Sequence, residues 1–497
     1  MTTIDVSDWK TLNVWRHPDG DACCRPGVRR LRELLADDGL DPVAGFSIKS
    51  SYTGTVYHYV VTDEGADGIH LHIYDDDLTE FQDFAWNATS IPVRAVGPCI
   101  VQGQMLITSP DLPTLFGMVG SGVIFADAVE SDNPSTTALA SVPRGICVAI
   151  CNRAIICNDR SVFVSDPIAF DGGDIRTFVG QNVNQRPGPI YGAHEGAGGG
   201  LVVVTTEGTF ALDADAFAVQ VVGMSGTGWR LLSHLGAISY ESSCVHRGRV
   251  YCLTKDGVSP CDVESNDEWR LSDQTMPRAF GGAISLLDYR RARMLVLEDG
   301  PVVVSDEAQA MWRSDLQTGR VSWWRSSYTD LGTMRGVLKP DSGVEWILAD
   351  GAICSIGGDF DGDDSIESAD GSEAVTATIH GVIEASASRN MLPRRVLHAA
   401  AVTGENHQIS AAVRGSSHGA DVPVDPFAIA DGTEWGGGSF LTIPMVGAQI
   451  DFGDIHDTVA TRDVGLELSS AGCLGRINTK PEITLSESAK GRPDAKG

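Results

Sequence analysis

The sequence predicts a mainly β protein, with a β-propeller-like domain and a smaller β-sandwich-like platform domain. Short apolar runs of strand length recur along the chain, and many of the 56 Gly residues separate them. Several runs are joined by an acidic residue and Gly, a pair that tight hairpins prefer because Gly adopts positive φ. These turns recur at a spacing of roughly 45–50 residues, which is typical of propeller blades. Their glycines are Gly208, Gly257, Gly300 and Gly351. A pair of irregular β-sandwiches is the alternative, because the repeat has no WD or kelch motif.

The first 356 residues divide into two predicted parts. Residues 1–45 are predicted to be an N-terminal segment that joins the platform domain. Within it, Val28, Leu31, Leu34 and Leu35 recur at helical spacing and predict a helix that ends at Gly39. Residues 46–356 carry the serial strands and form the predicted propeller-like domain.

The rest of the chain divides into three parts. Residues 357–372 are polar and acidic, which predicts a linker loop between domains. Strands resume over 373–486 with partial alternation of apolar and polar residues, so this platform domain is expected to bury one face of its sheets. Residues 487–497 form a polar tail that we expect to be mobile.

Composition narrows the classes of function. The chain has 37 Lys and Arg against 66 Asp and Glu, a net charge of −29. Tight DNA binding is disfavoured, because DNA affinity comes largely from Lys and Arg, whereas an acidic surface repels DNA and lets it pass. No apolar run approaches the ~20 residues of a membrane helix, and the first residues lack the features of a signal peptide, so no membrane insertion is expected.

Cysteine usage indicates a reducing compartment. The 11 cysteines are odd in number and dispersed. Cys147, Cys151 and Cys157 lie in strand-like apolar sequence. We expect them to be buried free thiols of a protein made in the cytoplasm.

The candidate metal-binding residues are Asp359, Asp361 and Asp363. Oxygen ligands at alternate positions are what a calcium loop presents to a hard cation. The pattern departs from an EF-hand loop, because Asp364 stands where Gly is required and Asp370 stands where Glu is required. A solvated acidic loop is therefore the preferred interpretation, and calcium binding is the alternative.

No catalytic site and no cofactor are predicted. His70 and His72 stand two apart in a strand and share a face, and without a third ligand in the sequence they are interpreted as surface histidines. The sequence contains no HExxH motif and no nucleophile elbow, and its 66 acidic residues single out no glycosidase pair. Trp323 and Trp324 are either a sugar-binding platform or ordinary strand residues at the core and a subunit contact.

Four segments resemble the tail hub, or nozzle, proteins of short-tailed bacteriophages (podoviruses), also called packaged-DNA-stabilisation proteins. Residues 12–27 resemble the opening of this family at Asn13, Pro18, Gly20, Pro26 and Gly27. Residues 158–170 resemble a later segment, which includes Ser165, Asp166 and Pro167. Residues 188–212 and 311–324 provide two further matches in the family's order.

The resemblance implies a non-enzymatic structural protein of the virion tail, made in the host cytoplasm. Six copies would form a ring below the portal and adaptor, through which genomic DNA is retained and ejected. The implied partners are other copies of the chain, the adaptor (head-to-tail connector) protein, a tail fibre or tail needle, and double-stranded DNA in transit. The alternative function is a propeller-type sugar-binding or glycan-processing tail protein.

Overall fold

The computed structural model describes part of the chain, in a series of separate segments. The described residues are 2–3, 10–12, 14–16, 22–24, 28–50, 53–119, 124–127, 142–167, 175–176, 178–179, 189–196, 199–213, 229–237, 239–254, 257–261, 292–297, 300–305, 310–315, 322–327, 334–343, 345–349, 351–356, 362–364, 372–374, 376–384, 391–401, 407–415, 421–429, 448–454, 463–471, 476–477 and 482–487.

Most of these residues lie in strands, and only Leu35–Asp38 is helical. Up to residue 127 the elements are β1 (Thr2–Thr3), β2 (Lys10–Leu12), β3 (Val14–Arg16), β4 (Ala22–Cys24), β5 (Val28–Glu33), α1 (Leu35–Asp38), β6 (Asp41–Lys49), β7 (Val56–Asp63), β8 (Ile69–Tyr74), β9 (Glu80–Asn87), β10 (Gly97–Val101), β11 (Gln104–Thr108), β12 (Leu115–Met118) and β13 (Ile124–Asp127). Up to residue 260 they are β14 (Ile146–Ile150), β15 (Arg153–Asn158), β16 (Ser161–Ser165), β17 (Phe178–Val179), β18 (Ile190–Glu195), β19 (Leu201–Thr205), β20 (Thr209–Leu212), β21 (Arg230–Ser233), β22 (Ser243–His246), β23 (Arg249–Thr254) and β24 (Gly257–Pro260).

The later strands complete the list. Up to residue 356 they are β25 (Arg293–Leu297), β26 (Gly300–Ser305), β27 (Ala310–Asp315), β28 (Ser322–Ser327), β29 (Met334–Leu338), β30 (Trp346–Ala349) and β31 (Ala352–Ile356). Beyond it they are β32 (Gly362–Asp364), β33 (Ser372–Ala374), β34 (Thr376–Glu384), β35 (Met391–Ala401), β36 (His407–Gly415), β37 (Asp421–Ile429), β38 (Ala448–Asp454), β39 (Asp463–Ala471), β40 (Arg476–Ile477) and β41 (Glu482–Glu487).

Seven small antiparallel sheets follow one another along the chain. They are the first sheet (β6 to β9), the second (β10 to β13), the third (β14 to β17), the fourth (β18 to β21), the fifth (β22 to β24), the sixth (β25 to β28) and the seventh (β29, β30, β31 and β5). The first strand of each sheet contacts the first strand of the next, and β29 of the seventh sheet contacts β6 of the first. The sheets therefore follow one another around a circle, as in a β-propeller, and the predicted propeller-like fold is confirmed.

The hydrophobic core lies between neighbouring sheets. Tyr59 and Leu71 of the first sheet pack against Met105 and Ile107 of the second in one buried cluster. Similar buried clusters join the second sheet to the third, the third to the fourth and the fourth to the fifth. Another joins the seventh sheet to the first. Both faces of the first four sheets are therefore covered, which explains why Leu201–Thr205 is buried throughout and apolar at its first four positions.

Two further sheets combine strands from both ends of the chain. One has the order β1-β41-β35-β40-β4-β3, with β38 also pairing with β35. The other has the order β2-β34-β39-β36-β37. These sheets form the smaller β domain of the predicted fold class. Residues 488–497, which make up most of the predicted tail, lie outside the described residues.

The four predicted hairpins are present as β19–β20, β23–β24, β25–β26 and β30–β31. Gly351 has a φ of 73°, in the left-handed region. A side chain on Gly351 would place a Cβ 2.5 Å from the Cβ of Leu35. This position therefore needs Gly both for its backbone conformation and for its close neighbour.

The helix predicted to end at Gly39 is wrong over most of its length. Residues Val28–Glu33 form β5, and only the single turn Leu35–Asp38 is helical. The reason is long-range pairing: β31 would otherwise have an open edge, and β5 satisfies its backbone groups. The predicted end is right, because Gly39 caps the turn in a left-handed conformation.

The expectation of buried cysteines holds only in part. Cys157 is buried and Cys147 is half-buried, whereas Cys151 is exposed in the turn between β14 and β15. Burial, followed by the neighbouring Cys99 thiol, raises the pKa of the Cys147 thiol. Cys147 is therefore a poor nucleophile at neutral pH.

Candidate functional site

The residues that carry the family resemblance separate into two groups. Asn13, Pro18, Gly20, Pro26 and Gly27 lie outside the described residues. Between them lie β3 and β4, which pair with each other, and β4 continues to β40.

Ser165, Asp166 and Pro167 are at the end of β16 in the third sheet. The buried Ser165 hydroxyl accepts a hydrogen bond from the Ala154 backbone N–H at 2.8 Å and donates one to the Asp166 carbonyl oxygen at 3.0 Å. Arg153 donates to the Ser165 carbonyl oxygen at 2.8 Å. These hydrogen bonds stabilise the end of β16. At this position the Ser-Asp-Pro motif therefore has a structural role in the sheet.

The acidic candidates for a calcium loop lie mostly outside the described residues. Asp359 and Asp361 lie outside the described residues, as do the side chains of Asp363, Trp323 and Trp324. The backbone of Asp363 lies in β32, opposite Glu373 of β33. The calcium hypothesis therefore remains a sequence prediction.

A histidine–carboxylate cluster (Glu64, His70, His72, Glu80 and Asp83) lies on one face of the first sheet, along β8. Residues 70, 72 and 74 point to the same face of β8, and the rings of His70 and His72 stack with centroids 6.1 Å apart. Tyr74 continues the stack on His72, and the Arg32 guanidinium of β5 lies 4.8 Å from the Tyr74 ring centroid. His72 is buried, with 5% of its side chain exposed, so its interpretation as a surface histidine is wrong.

Three members of the cluster could hold a metal ion. Ligand atoms of Glu64, His70 and His72 all lie within 4.8 Å of one another. The sequence shows the two histidines at period-two spacing, but Glu64 is brought to them by the turn between β7 and β8. That turn pairs Thr62 with His70 and Val60 with His72. Glu64 could therefore have been predicted as the third ligand only from the pairing of β7 with β8, and not from a local sequence motif.

A seam network (Ser47, His58, Asp76, Lys339 and Asp341) joins the first sheet to the seventh. The Ser47 hydroxyl oxygen lies 2.8 Å from His58 Nδ1, and Asp76 Oδ1 lies 3.0 Å from His58 Nε2. The backbone N–H of Lys339 donates to Ser47 at 2.7 Å, and that of Asp341 donates to the Asp76 carboxylate at 3.1 Å.

The seam network contains the residue types of a nucleophilic triad, and its hydrogen bonds join two sheets. His58 is fully buried, and burial lowers its pKa against the opposing effect of Asp76. The Ser47 oxygen already accepts the Lys339 N–H, so its own proton is directed to His58 Nδ1. The Ser47 hydroxyl therefore connects the first sheet to the seventh.

A central cluster (Arg94, Asp111, Tyr191, Tyr240, Glu241 and Arg293) joins distant parts of the circle. Arg94 follows the first sheet, and its guanidinium pairs with Asp111 and lies 4.8 Å from the ring centroid of Tyr240, which precedes the fifth sheet. Tyr240 meets the Tyr191 ring edge-on at 4.9 Å. The Asp111 hydrogen bond raises the pKa of Arg94, so the cation is retained.

The same cluster extends to the sixth and seventh sheets. Glu241 pairs with Arg293 of β25 at 2.9 Å, and Arg293 donates to the carbonyl oxygen of Met334 in β29 at 2.7 Å. Because the sheets follow a circle, these contacts cross its central region.

Within the described part of the chain, no helix has the length and apolar character required to span a membrane. No protein-family model matches the chain, and no curated protein matches it.

Several solved structures share a general likeness with the chain. The WD40 propeller domain of Doa1 is 11% identical, covers 67% of this chain and 97% of its own, and gives a TM-score of 0.39. A streptogramin B lyase is 10% identical over 67% of this chain and 98% of its own, with a TM-score of 0.40. The extracellular domain of a hybrid two-component system of B. thetaiotaomicron is 10% identical over 84% of this chain and 58% of its own, with a TM-score of 0.45. At these values the likenesses carry no residue role and no activity.

Proposed function

We propose that this chain is a non-enzymatic structural subunit of the tail of a short-tailed bacteriophage. In this proposal six copies form a ring below the portal and adaptor, and genomic DNA is retained by the ring and passes through it during ejection. The ordered sequence resemblance motivates the proposal. The structural observation that supports it best is the way in which the two ends of the chain are joined.

Strands from the first 33 residues pair with strands from the second half of the chain at four places. In the smaller domain, β1 pairs with β41, β4 with β40 and β2 with β34. In the seventh sheet, β5 pairs with β31. A force applied to either end of the chain must therefore break antiparallel ladders before the fold opens. Such a subunit suits an assembly that bears load while DNA passes.

The charge of the chain supports the same role. Each copy carries a net charge of −29. A ring of such subunits presents a strongly negative potential, which does not hold DNA tightly and so favours sliding. Neutralising carboxylates along the bore should slow ejection, and unchanged ejection kinetics would count against an electrostatic contribution.

The proposal is tested first by stoichiometry. Mass photometry of the purified chain, alone and with the adaptor protein, should show a particle of about 320 kDa that contains six 52.8 kDa chains. A monomer under both conditions would contradict the ring.

The second test locates the chain in the virion. Negative-stain microscopy of phage that carry a labelled copy should place the label on the tail below the portal. A phage with a labelled portal protein provides the positional control. Label found elsewhere, or phage that eject DNA normally without the chain, would overturn the proposal.

A further inference from the structure

We propose that Glu64, His70, His72 and Asp83 bind one divalent transition-metal ion, with Zn²⁺ as the best fit. The site lies on the face of the first sheet that also carries Tyr74, next to the closing strand β5. The proposal is independent of the tail function. It rests on the hydrogen-bonding requirements of the two histidines and on the distances between four side chains.

All four imidazole nitrogens of the pair face acceptor oxygens. His70 Nδ1 lies 2.9 Å from Asp83 Oδ1, and His70 Nε2 lies 3.3 Å from the Asp67 carbonyl oxygen. His72 Nδ1 lies 3.2 Å from Glu80 Oε1, and His72 Nε2 lies 2.9 Å from Glu64 Oε1. Two neutral imidazoles carry only two N–H groups, so two of these four contacts lack a proton. The arrangement requires two additional positive charges.

A divalent cation supplies both charges at one point. Protonating both rings is the other way to supply them, and the zinc titration described below distinguishes the two. A metal ion bonded to His70 Nδ1 and His72 Nε2 leaves both imidazoles neutral. Their remaining N–H groups then point to the Asp67 carbonyl and to Glu80. A carboxylate or carbonyl acceptor on the second nitrogen is the usual arrangement around metal-bound histidines.

The distances between ligand atoms fit a small ion. Glu64 Oε1 lies 2.9 Å from His72 Nε2 and 3.6 Å from His70 Nδ1, and Asp83 Oδ1 lies 2.9 Å from His70 Nδ1. A tetrahedral zinc site with bonds of about 2.0–2.1 Å has ligand atoms roughly 3.3 Å apart. For Glu64, His70 and His72 the observed values lie on both sides of this spacing, and their ligand atoms all fall within 4.8 Å of one another. Asp83 lies outside that group, so its carboxylate would have to turn toward the other three ligands to complete the site.

Neighbouring groups orient the ligands. Thr62 donates its hydroxyl proton to Glu64 Oε1 at 3.1 Å, which holds this carboxylate toward the histidines. The ring of His72 stacks on Tyr74 at 6.2 Å. Two imidazoles with carboxylates favour zinc, copper or nickel, whereas calcium and magnesium prefer sites made wholly of oxygen.

Metal binding is tested on the untagged full-length chain, because a histidine tag would itself bind zinc. After treatment with a chelator, isothermal titration with ZnCl₂ should give one equivalent per chain, confirmed by elemental analysis. Cobalt(II) should give the intense visible bands of a four-coordinate site.

The variant His72→Ala should weaken zinc binding at least about 100-fold, and Glu80→Ala, which removes an orienting group, about 10- to 100-fold. His234→Ala, at an exposed histidine outside the cluster, should leave binding unchanged.

Three outcomes would overturn the proposal. They are the absence of saturable zinc binding, an unchanged affinity in His72→Ala, and equal losses in His72→Ala and His234→Ala. If His72→Ala does not fold, Asp83→Asn provides the decisive variant, because 48% of the Asp83 side chain is exposed and its loss should not disturb the core. An unchanged zinc affinity in folded Asp83→Asn, together with an unchanged cobalt spectrum, would remove Asp83 from the site and the four-ligand proposal with it.

Discussion

The backbone N–H of Lys339 donates a hydrogen bond to the Ser47 hydroxyl oxygen at 2.7 Å, although 292 residues separate the two along the chain. Ser47 lies in β6 of the first sheet, and Lys339 directly follows β29 of the seventh. This contact lies where the circle of sheets closes. The hydroxyl also bonds His58, so one small side chain satisfies polar groups of both sheets.

Ser47→Ala should destabilise the fold. The change removes the partner of the exposed Lys339 N–H and leaves Nδ1 of the fully buried His58 unsatisfied, and an unsatisfied buried polar group costs about 1–3 kcal/mol. Denaturant unfolding of the variant should show this loss in the free energy of unfolding. Thr206→Ala, in an exposed turn of the fourth sheet, is the control and should change stability by less than about 0.5 kcal/mol. Equal effects of the two changes would argue against the seam network.

His194 should make stability depend on pH. Burial lowers the pKa of His194 to about 4, whereas an unfolded histidine titrates near 6.5. Between these values the unfolded chain binds a proton that the folded chain does not, so stability falls as pH decreases from 6.5 toward 4. The difference of about 2.5 pKa units corresponds to at most about 3 kcal/mol.

The prediction for His194 is tested by comparing how the free energy of unfolding changes with pH in the wild type and in a variant. Free energies of unfolding of the wild type and of His194→Gln should converge as pH falls from 6.5 to 4, because the variant lacks this titration. Carboxylates that titrate over the same pH range affect both proteins equally, so their contribution cancels in the difference between the two free energies of unfolding. His234→Gln, a substitution at an exposed histidine, is the control, and a His194→Gln line parallel to that of the wild type would contradict the prediction.

Leu34 and Leu31 distinguish the observed strand from the predicted helix. A helix with both residues on its buried face predicts similar costs for the two alanine substitutions. In the structure Leu34 is fully buried against the seventh and first sheets, whereas 38% of Leu31 is exposed. Leu34→Ala should therefore cost about 2–5 kcal/mol. Leu31→Ala should cost less than about 1 kcal/mol by the same chemical denaturation, and a similar cost for the two would contradict β5.

Gly351→Ala and Gly343→Ala form a matched pair. Both glycines have positive φ, 73° and 79°, so alanine introduces comparable backbone strain of about 1 kcal/mol at each. Only at Gly351 does the new Cβ also approach another residue, Leu35, whereas Gly343 has open space. Gly351→Ala should therefore lower the thermal midpoint clearly further than Gly343→Ala. Equal shifts would show that the Leu35 contact relaxes without cost.

Local turn chemistry explains how much of the fold could be predicted. Gly208, Gly300 and Gly351 mark hairpins because acidic–Gly turns are specific to that geometry. The hairpins of the second and third sheets were not recognised as part of the same repeat. Their turns place Gln102 and Cys151 at positive φ, 46° and 51°, which residues of these types rarely adopt.

Long-range pairing explains what could not be predicted. The segment that became β5 has helical spacing of its apolar residues, but the partner that determines its structure, β31, lies near the other end of the propeller sequence. The histidine–carboxylate cluster shows the same limit at shorter range. His70 and His72 were identified, but Glu64 joins them only when β7 and β8 pair. Neither burial of His72 nor a third ligand is encoded in the local pattern.

The position of β5 also constrains how the protein is made. During translation, at about 5–20 residues per second, β5 leaves the ribosome roughly 15–60 seconds before β31 is available to receive it. Throughout this interval the nascent chain carries a strand without its partner, the kind of segment that seeds aggregation. Three arginines, Arg29, Arg30 and Arg32, lie within the six residues of β5. We expect their mutual repulsion to disfavour pairing between copies of this strand on neighbouring nascent chains until the last sheet is synthesised.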